Sequence, residues 1–305
     1  MEMRMLGNTG LFVSALGFGT MELGKLDFAG AQKVLNTALD HGITFIDSSP
    51  CYGITEEYVG RAIAHRRSEY VLATKTGCHV DHEGRFTLGP DHLWTREQIL
   101  HNIDRSLELL KTDHIDVWQL HGIMPEFLPD GKDGEVMRAV EDVQKSGRVS
   151  HVAFSCRNGG PSQEMYPALF GYHACKTFFS WNKFAAVQLI YGALTRTNEQ
   201  VIDAAKNLGM GVICRGVVKK YFDTYDKLYE DAKLAELYAP GEDMITFLIR
   251  FALSHPNIST VIIGTKDEGH LLQNIEAAAK GPLSSGVYDE AKKRLSSVGV
   301  TVKPW

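Results

Sequence analysis

Short runs of apolar residues alternate along the chain with longer stretches in which apolar residues recur at helical spacing. Eight such runs occur, at residues 15–20, 43–47, 70–75, 115–121, 149–155, 185–189, 211–215 and 260–264. Continuous apolar runs of this length predict strands buried on both faces, as in a parallel sheet. Before them, apolar segments at 3–6 and 11–14 flank Asn8-Thr9-Gly10, which predicts a short β-hairpin.

The stretches between the runs predict helices at residues 31–41, 55–65, 96–111, 134–146, 197–208, 243–254 and 268–279. A further helix, between the fifth and sixth runs, has the weakest pattern and falls within 162–175. Thr95, with Gln98 three residues later, predicts the N-terminal cap of the third helix. Gly147 predicts the end of the fourth.

Eight strand–helix units predict an α/β fold, a closed (β/α)8 TIM barrel with the hairpin at its N-terminus. The competing architecture is an open doubly wound sheet, which would need a GxGxxG turn after its first strand. Here Gly17-Phe18-Gly19 is followed by Thr20-Met21-Glu22, so the third glycine is missing. No linker or repeat interrupts the pattern, and residues 1–305 are expected to form a single barrel domain.

Composition narrows the partners that can be expected. The formal net charge is −5 and the cations are scattered among acids, which argues against nucleic acid or an anionic membrane as partner. No apolar run approaches the roughly 18 residues of a membrane span, and the first residues lack the apolar core of a signal peptide. We therefore expect a cytoplasmic protein that acts on small molecules. The sequence does not specify its oligomeric state.

The five cysteines are widely spaced and form no CxxC pair. This spacing argues against a metal centre built from them and predicts reduced thiols. Cys51 adjoins Tyr52, but its simplest interpretation is a packed or partly exposed thiol.

Four ionisable residues fall where the predicted strands end. Asp47 ends the second strand, Tyr52 follows in the next loop, Lys75 ends the third strand and His121 ends the fourth. In a barrel of this kind chemistry takes place at the C-terminal ends of the strands, so the four side chains are expected to meet at one mouth. No metal ligand set is expected among them.

This combination suits protonation of an oxygen while hydride reaches the attached carbon. An ammonium group close to a phenol stabilises the phenolate, and a carboxylate keeps that ammonium charged. A histidine can orient a carbonyl oxygen or share the proton. Because no side chain supplies hydride, a cofactor must. Taken singly, Asp47 is equally compatible with a cap and His121 with a structural hydrogen bond.

The same residues carry a family resemblance. The stretch Gly42-Ile-Thr-Phe-Ile-Asp47-Ser-Ser-Pro-Cys-Tyr52-Gly, followed by Thr55-Glu56 and Gly60, resembles the long signature of the aldo-keto reductase superfamily. Ala73-Thr74-Lys75 resembles its lysine strand, and Asp113-His-Ile-Asp116 with Gln119-Leu-His121 resembles its second block. Matches extend from about Gly17 to Asn274, nearly the whole chain.

The resemblance implies catalytic roles for these residues. Tyr52 would be the general acid, Lys75 and Asp47 the pair that tunes it, and His121 the residue that orients the carbonyl. It also implies a barrel that binds NADPH, or NADH, extended across its mouth.

Further positions match the family's cofactor contacts. Those implied to hold the nicotinamide end are Gly19, Thr20, Met21, Asp47, Ser155 and Gln188; those implied to hold the adenosine phosphate end are Thr265, Lys266, His270 and Asn274.

Several positions depart from the family pattern. Cys156 replaces an asparagine expected to contact the carboxamide, and Gly192 replaces another asparagine. Arg215 stands where an aromatic residue normally stacks on the nicotinamide. A guanidinium can stack on a ring, pair with a cofactor phosphate or bind an acidic substrate, and the sequence leaves these open. At His270 many relatives have arginine, the better phosphate ligand.

Loops 77–94, 122–134 and 216–241 are expected to set specificity for an aldehyde, a ketone or a sugar-like carbonyl, without choosing among them. Two other functions remain open. One is a lyase or aldolase in which Lys75 forms a Schiff base. The other is a non-catalytic subunit or sensor that binds NADPH.

Overall fold

The computed structural model describes residues 1–79, 93–156, 171–221 and 223–305. Strands β1 (Met3–Met5) and β2 (Phe12–Ser14) pair antiparallel in the N-terminal hairpin. The other strands pair in parallel and close into a barrel, in the order β10-β3-β4-β5-β6-β7-β8-β9. They are β3 (Leu16–Gly19), β4 (Phe45–Asp47), β5 (Val71–Thr76), β6 (Ile115–Ile123), β7 (Val149–Cys156), β8 (Ala186–Ile190), β9 (Gly211–Arg215) and β10 (Thr260–Ile263).

Helices follow the barrel strands around the outside. Within the described residues they are α1 (Phe28–Asp40), α2 (Thr55–Ile63), α3 (Arg96–Leu110), α4 (Glu135–Lys145), α5 (Tyr172–Trp181), α6 (Glu199–Asn207), α7 (Tyr225–Asp231), α8 (Met244–Leu253), α9 (Glu268–Ala279) and α10 (Ser285–Ser297). The predicted hairpin and (β/α)8 barrel are confirmed, with each of the eight apolar runs forming one barrel strand.

The buried side chains form two clusters, one inside the barrel and one between strands and helices. The inner cluster contains strand residues such as Phe45, Val117 and Ile213, all fully buried. Leu6 and Val13 of the hairpin region belong to the same cluster and are also fully buried. The hairpin therefore closes the N-terminal end of the barrel and leaves the opposite end for chemistry.

Helix α3 shows how the local sequence sets an element. The Thr95 side chain accepts a hydrogen bond from the Gln98 backbone amide at 3.2 Å, which confirms the predicted cap. The helix buries Ile99 and Ile103 at helical spacing and ends at Lys111, whose φ of 53° is left-handed.

Helices α7 and α10 were not predicted. In α10 only Tyr288, Ala291 and Leu295 are buried. Its sequence therefore lacks the wide apolar stripe by which a helix is predicted. Helix α5 begins at Tyr172, near the end of the weakly patterned segment, whose residues 162–170 lie outside the described part of the chain. Among the described residues, no helix has the length and apolar character that crossing a bilayer would require.

Candidate active site

The C-terminal ends of three neighbouring strands bring the predicted catalytic residues together. Asp47 ends β4, Lys75 lies one residue before the end of β5, and His121 lies near the end of β6. Tyr52 closes the short 3-10 turn Pro50–Tyr52 after β4. The pairing of β6 with β7 shifts register just after His121, at Gly122, whose φ of 61° favours glycine.

Asp47 and Lys75 form a buried ion pair. The Lys75 Nζ donates to Asp47 Oδ2 at 2.6 Å and to the Ser48 carbonyl oxygen at 2.7 Å. The Lys75 side chain is fully buried, and burial by itself would lower its pKa. The charge and hydrogen bond of Asp47, together with Tyr52, outweigh burial and raise the pKa of Lys75 above its ordinary value. Lys75 is therefore held in its charged form inside the barrel.

Tyr52 lies between this cation and His121. The Lys75 Nζ is 4.8 Å from the centroid of the Tyr52 ring. The Tyr52 and His121 rings meet edge to face, with centroids 5.9 Å apart. One phenol thus has an ammonium and an imidazole as immediate neighbours.

Asp47 is held by two glutamines as well as by Lys75. Its Oδ1 accepts from Gln119 Nε2 at 2.7 Å and from Gln188 Nε2 at 2.9 Å. The Ser155 hydroxyl donates to Gln188 Oε1 at 3.0 Å, so two residues matched to the nicotinamide end extend the network from Asp47. Sequence reasoning assigned no role to Gln119, although it lies two residues before His121.

A cavity of about 540 Å³ opens over these residues. Asp47, Tyr52, His121 and Gln188 contribute to its wall, together with Gly19, Met21 and Arg215 among others. Thr20, beside them, is fully buried and its hydroxyl donates to Ser48 Oγ at 2.9 Å. Thr20, which was matched to the nicotinamide end, therefore supports the loop after β4 through Ser48.

Arg215 lies on the far wall of this cavity. Its Nη2 donates to the Cys156 carbonyl oxygen at 2.6 Å, and it also forms a side-chain hydrogen bond with Tyr221. Burial raises the pKa of Tyr221, and the positive charge of Arg215 partly offsets this increase. A fixed cation therefore stands at the position where the family pattern has an aromatic ring.

The residues matched to the adenosine phosphate end surround the start of α9. Lys266 and His270 are exposed, Thr265 is half-buried and Asn274 is buried. The Asp267 side chain caps the helix by accepting from the His270 backbone amide at 2.8 Å. Strand β10, which leads into this region, also forms part of the cavity wall through Ile262 and Ile263.

The prediction of reduced thiols is wrong for two cysteines. Cys51 and Cys78 form a disulfide, with an S–S distance of 1.99 Å. Cys51 follows β4 and Cys78 follows β5, and these adjacent parallel strands end side by side. The remaining three, Cys156, Cys175 and Cys214, are free and buried.

Glu56 is a further buried acid beside the site. It accepts hydrogen bonds from Thr74 and Ser106, with Thr74 Oγ1 at 2.5 Å. Burial raises the pKa of Glu56 to about 7. The two hydrogen bonds and the charges of Lys75 and Arg105 lower this pKa, but burial outweighs them. Sequence reasoning used Glu56 only as part of the family signature.

Comparison with known proteins agrees with this arrangement. The Aldo/keto reductase family model matches residues 15–295, most of the chain. The chain belongs to the aldo/keto reductase family. This places it in a family of oxidoreductases that act on small molecules.

Two relatives of this aldo-keto reductase are similar to it over nearly their whole length. An uncharacterized oxidoreductase of Bacillus subtilis, YqkF, is 28% identical over 302 residues, covering 91% of both chains. The L-galactose dehydrogenase of Arabidopsis thaliana is 26% identical over 324 residues, covering 99% of this chain and 95% of that protein. A solved aldo-keto reductase from Bacillus halodurans, in a holo form, shares the fold with a TM-score of 0.79 and 24% identity, covering 99% of this chain and 98% of that one.

Proposed function

We propose that this aldo-keto reductase reversibly reduces an aldehyde, ketone or sugar-like carbonyl to an alcohol, with Tyr52 as the proton donor. The observation that carries the proposal is the buried Lys75 ammonium, fixed by Asp47 and 4.8 Å from the Tyr52 ring. When a reduced nicotinamide dinucleotide is bound it supplies the hydride. The protein supplies the proton and the surrounding charge.

The ion pair is what would make a phenol useful as an acid. When the Tyr52 hydroxyl gives its proton to the substrate oxygen, a phenolate remains. A cation in a buried environment stabilises that anion far more than water-exposed lysine would. The carboxylate of Asp47 and its two glutamine partners keep the lysine charged and in place, so no rearrangement is needed as charge develops.

His121 would orient the substrate. Its ring shares the cavity wall with Tyr52 and meets that ring edge-on. A carbonyl oxygen placed between them would be close to both the phenol and the imidazole. His121 is therefore the positioning partner of Tyr52 in this proposal.

The residues present fit a dinucleotide bound across the mouth. Gly19 and Gly264 approach so closely that a Cβ on Gly264 would lie 2.5 Å from the Gly19 carbonyl oxygen, and both line the cavity. Glycine is therefore required at Gly264, and backbone alone forms the rim of the cavity at this point. The exposed Lys266 and His270 lie at the N-terminus of α9, where backbone amides and the helix dipole favour a phosphate.

We propose NADPH as the preferred form, with NADH also accepted. Lys266 and His270 would meet the 2′-phosphate, and Asn274 and Thr265 would complete that end. Ser155 and Gln188, joined to Asp47, would hold the nicotinamide end together with Gly19, Thr20 and Met21.

The surroundings of Lys75 disfavour the Schiff-base alternative. A Schiff base needs a neutral amine that can reach its substrate. The Lys75 amine is fully buried, donates to two oxygens and has a raised pKa. Each of these features works against nucleophilic attack.

The cavity wall indicates which substrates to test first. The wall combines apolar residues such as Val217 and Ile262 with polar ones such as Gln188, and Arg215 adds a cation that could receive an acidic group. One relative is named for the dehydrogenation of L-galactose. A test panel should therefore include aldoses such as L-galactose, uronic acids, and simple aldehydes and ketones of matched size.

The deciding experiment compares Tyr52→Phe with wild type. We expect turnover of the best carbonyl substrate to fall by about 10²–10⁴-fold, the range of general acid catalysis, while the Kd for NADPH stays nearly constant. Tyr58→Phe is the matched control, because the Tyr58 hydroxyl donates to the Leu26 carbonyl oxygen outside the cavity. It should retain activity.

Two results would count against the proposal. Turnover unchanged in Tyr52→Phe would remove Tyr52 from the acid role. Tight NADPH binding by wild type without turnover across the whole panel would instead support a non-catalytic subunit or sensor.

A further inference from the structure

A second cluster of reactive side chains lies at the mouth of the barrel, next to the proposed catalytic residues. The sulfur atoms of Cys51 and Cys78 and a ring nitrogen of His121 all lie within 4.8 Å of one another. The Cys78 Sγ is 3.5 Å from His121 Nδ1. Two sulfur atoms and one imidazole nitrogen therefore face a common point.

The fold holds these three atoms in place through three consecutive strands. Cys51 lies in the turn after β4, Cys78 lies two residues after β5, and His121 lies in β6. The Cα atoms of Cys51 and Cys78 are 5.6 Å apart. Ser49 adds a hydroxyl 3.2 Å from His121 Nδ1, and the same hydroxyl accepts from the Cys51 amide. The cluster is thus part of the rigid barrel end.

Two thiolates and one imidazole are the donor set that soft and borderline divalent cations prefer. A Cys2His set with an open fourth position is one of the arrangements in which proteins hold zinc for chemistry. Cys51 and His121 are half-buried and His121 lines the cavity, whereas Cys78 is buried, so a cation would enter from the side of Cys51 and His121. In the disulfide, however, neither sulfur is a thiolate.

We propose that Cys51, Cys78 and His121 form a redox-gated site for a soft divalent cation of the zinc type, which opens when the Cys51–Cys78 disulfide is reduced. This reverses the expectation drawn from the cysteine spacing, since the barrel, and not the sequence interval, brings the ligands together. Cation binding at this cluster would be a property separate from carbonyl reduction.

The gate is a two-electron reaction. A phosphine reductant donates two electrons to the disulfide, and the S–S bond breaks. One water molecule supplies the two protons that complete the thiols, and its oxygen converts the phosphine to the phosphine oxide. Binding of the cation then displaces the two thiol protons to solvent, because the ligands are thiolates. In a cell, a dithiol reductant would perform the first step by exchange, becoming a disulfide itself.

Occupancy of the site would have one consequence for the proposed function. A cation on His121 Nδ1 holds the imidazole and places a positive charge on the ring that is proposed to orient the substrate carbonyl. We therefore expect the bound cation to inhibit carbonyl reduction, and the disulfide to protect the enzyme from it. This consequence rests on the proposed function.

The test begins with thiol counting on the whole chain. Denatured, oxidised protein should show three free thiols, and protein treated under native conditions with tris(2-carboxyethyl)phosphine should show five. The reduced protein, freed of phosphine without oxygen, is then titrated with Zn²⁺ by calorimetry and with Cd²⁺ by ultraviolet thiolate absorption. No substrate or dinucleotide is present, so this arm is independent of the reductase proposal.

We expect one cation per reduced chain, with the thiolate band, and none at this site in the oxidised chain. Cys51→Ser and Cys78→Ser should each weaken binding by on the order of 100-fold, because each removes one of three protein ligands. Cys175→Ser is the control, since Cys175 and Cys156 form another close sulfur pair, 3.6 Å apart. It should bind as wild type does. In the activity arm, Zn²⁺ should slow reduced wild type but neither the oxidised enzyme nor Cys51→Ser.

Four outcomes would overturn the proposal. They are a thiol count that stays at three after native reduction, equal affinity in the oxidised and reduced chains, unchanged binding in Cys51→Ser, and loss of binding in Cys175→Ser only. The last would place the cation at the Cys156–Cys175 pair.

Discussion

Replacing Glu56 by glutamine should change how the stability of this barrel depends on pH. Glu56 lies in the first turn of α2, is fully buried, and accepts hydrogen bonds from Thr74 of β5 and Ser106 of α3. Burial raises its pKa from 4.5 to about 7, although those bonds and the charges of Lys75 and Arg105 lower it. The folded chain therefore holds the Glu56 proton to a higher pH than the unfolded chain does.

The sign and size of the effect follow from this difference. Between pH 4.5 and 7 the folded state binds more protons at Glu56 than the unfolded state, so stability falls as pH rises through this window. Below the window the stabilising contribution is complete, and above it the contribution is lost. With about 1.4 kcal/mol for each pKa unit, the loss from pH 5 to pH 8 amounts to about 2.5 kcal/mol.

A neutral glutamine removes this dependence and keeps a partner for each hydroxyl. We therefore expect the free energy of unfolding of Glu56→Gln, relative to wild type, to increase by about 2.5 kcal/mol from pH 5 to pH 8. The comparison is independent of any constant difference between the two side chains. Urea unfolding at several pH values in this range, with refolding checked, measures it.

Glu57→Gln is the matched control. Glu57 adjoins Glu56 in the same helix turn, but it is only half-buried and pairs with Arg61. Its difference from wild type should stay within about 0.5 kcal/mol at every pH. A Glu56→Gln difference that is constant with pH, or that grows toward low pH, would refute the account of Glu56 as a buried acid whose pKa is raised on folding.

Three further substitutions test other parts of the structure. Lys266→Ala should raise the Kd for NADPH more than that for NADH, measured by fluorescence titration, and equal losses would remove Lys266 from the 2′-phosphate site. Asp47→Asn should lower stability by about 3–5 kcal/mol in urea unfolding, since it strands the buried Lys75 charge, and a loss below about 1 kcal/mol would contradict the ion-pair argument. Gly60→Ala should destabilise by at least about 1–3 kcal/mol, because its Cβ would lie 2.1 Å from the Leu109 carbonyl oxygen. Gly286→Ala is its control: this helical position has nothing within 4 Å, so alanine should be neutral or slightly stabilising in thermal unfolding.

Most of the fold could be predicted because barrel strands carry a strong local signal. Each strand is buried on both faces, so it appears in the chain as an unbroken apolar run bounded by polar residues. The helices that carry a wide apolar stripe, such as α3, were predictable for a similar reason. Helix α10 was not, because it buries only three side chains and its place depends on tertiary contacts such as the 2.7 Å hydrogen bond between Tyr191 and Tyr288.

The geometry of the site was only partly predictable. The meeting of Asp47, Tyr52, Lys75 and His121 followed from strand ends alone, without any contact being known. Gln119 was missed although it lies in the same strand as His121, since an amide within an apolar run gives no sign of the carboxylate it will bind. Glu56 was missed because a glutamate in the first turn of a helix is ordinarily solvated there, and only the packing of α2 against β5 and α3 buries it.

The disulfide shows where the reasoning from strand ends was applied too narrowly. The same rule that brought Asp47 and Lys75 together also applies to Cys51 and Cys78, which follow the same two adjacent strands by four and two residues. The prediction of reduced thiols rested instead on the wide spacing of the cysteines along the sequence, which carries no information about this geometry. In a parallel barrel, proximity is decided by distance from the strand end, whatever the chemistry of the side chain. Every reactive residue that closely follows a strand end is therefore a candidate neighbour of those that follow the adjacent strands. In this chain the rule places the Cys51–Cys78 sulfur pair beside Tyr52 and His121.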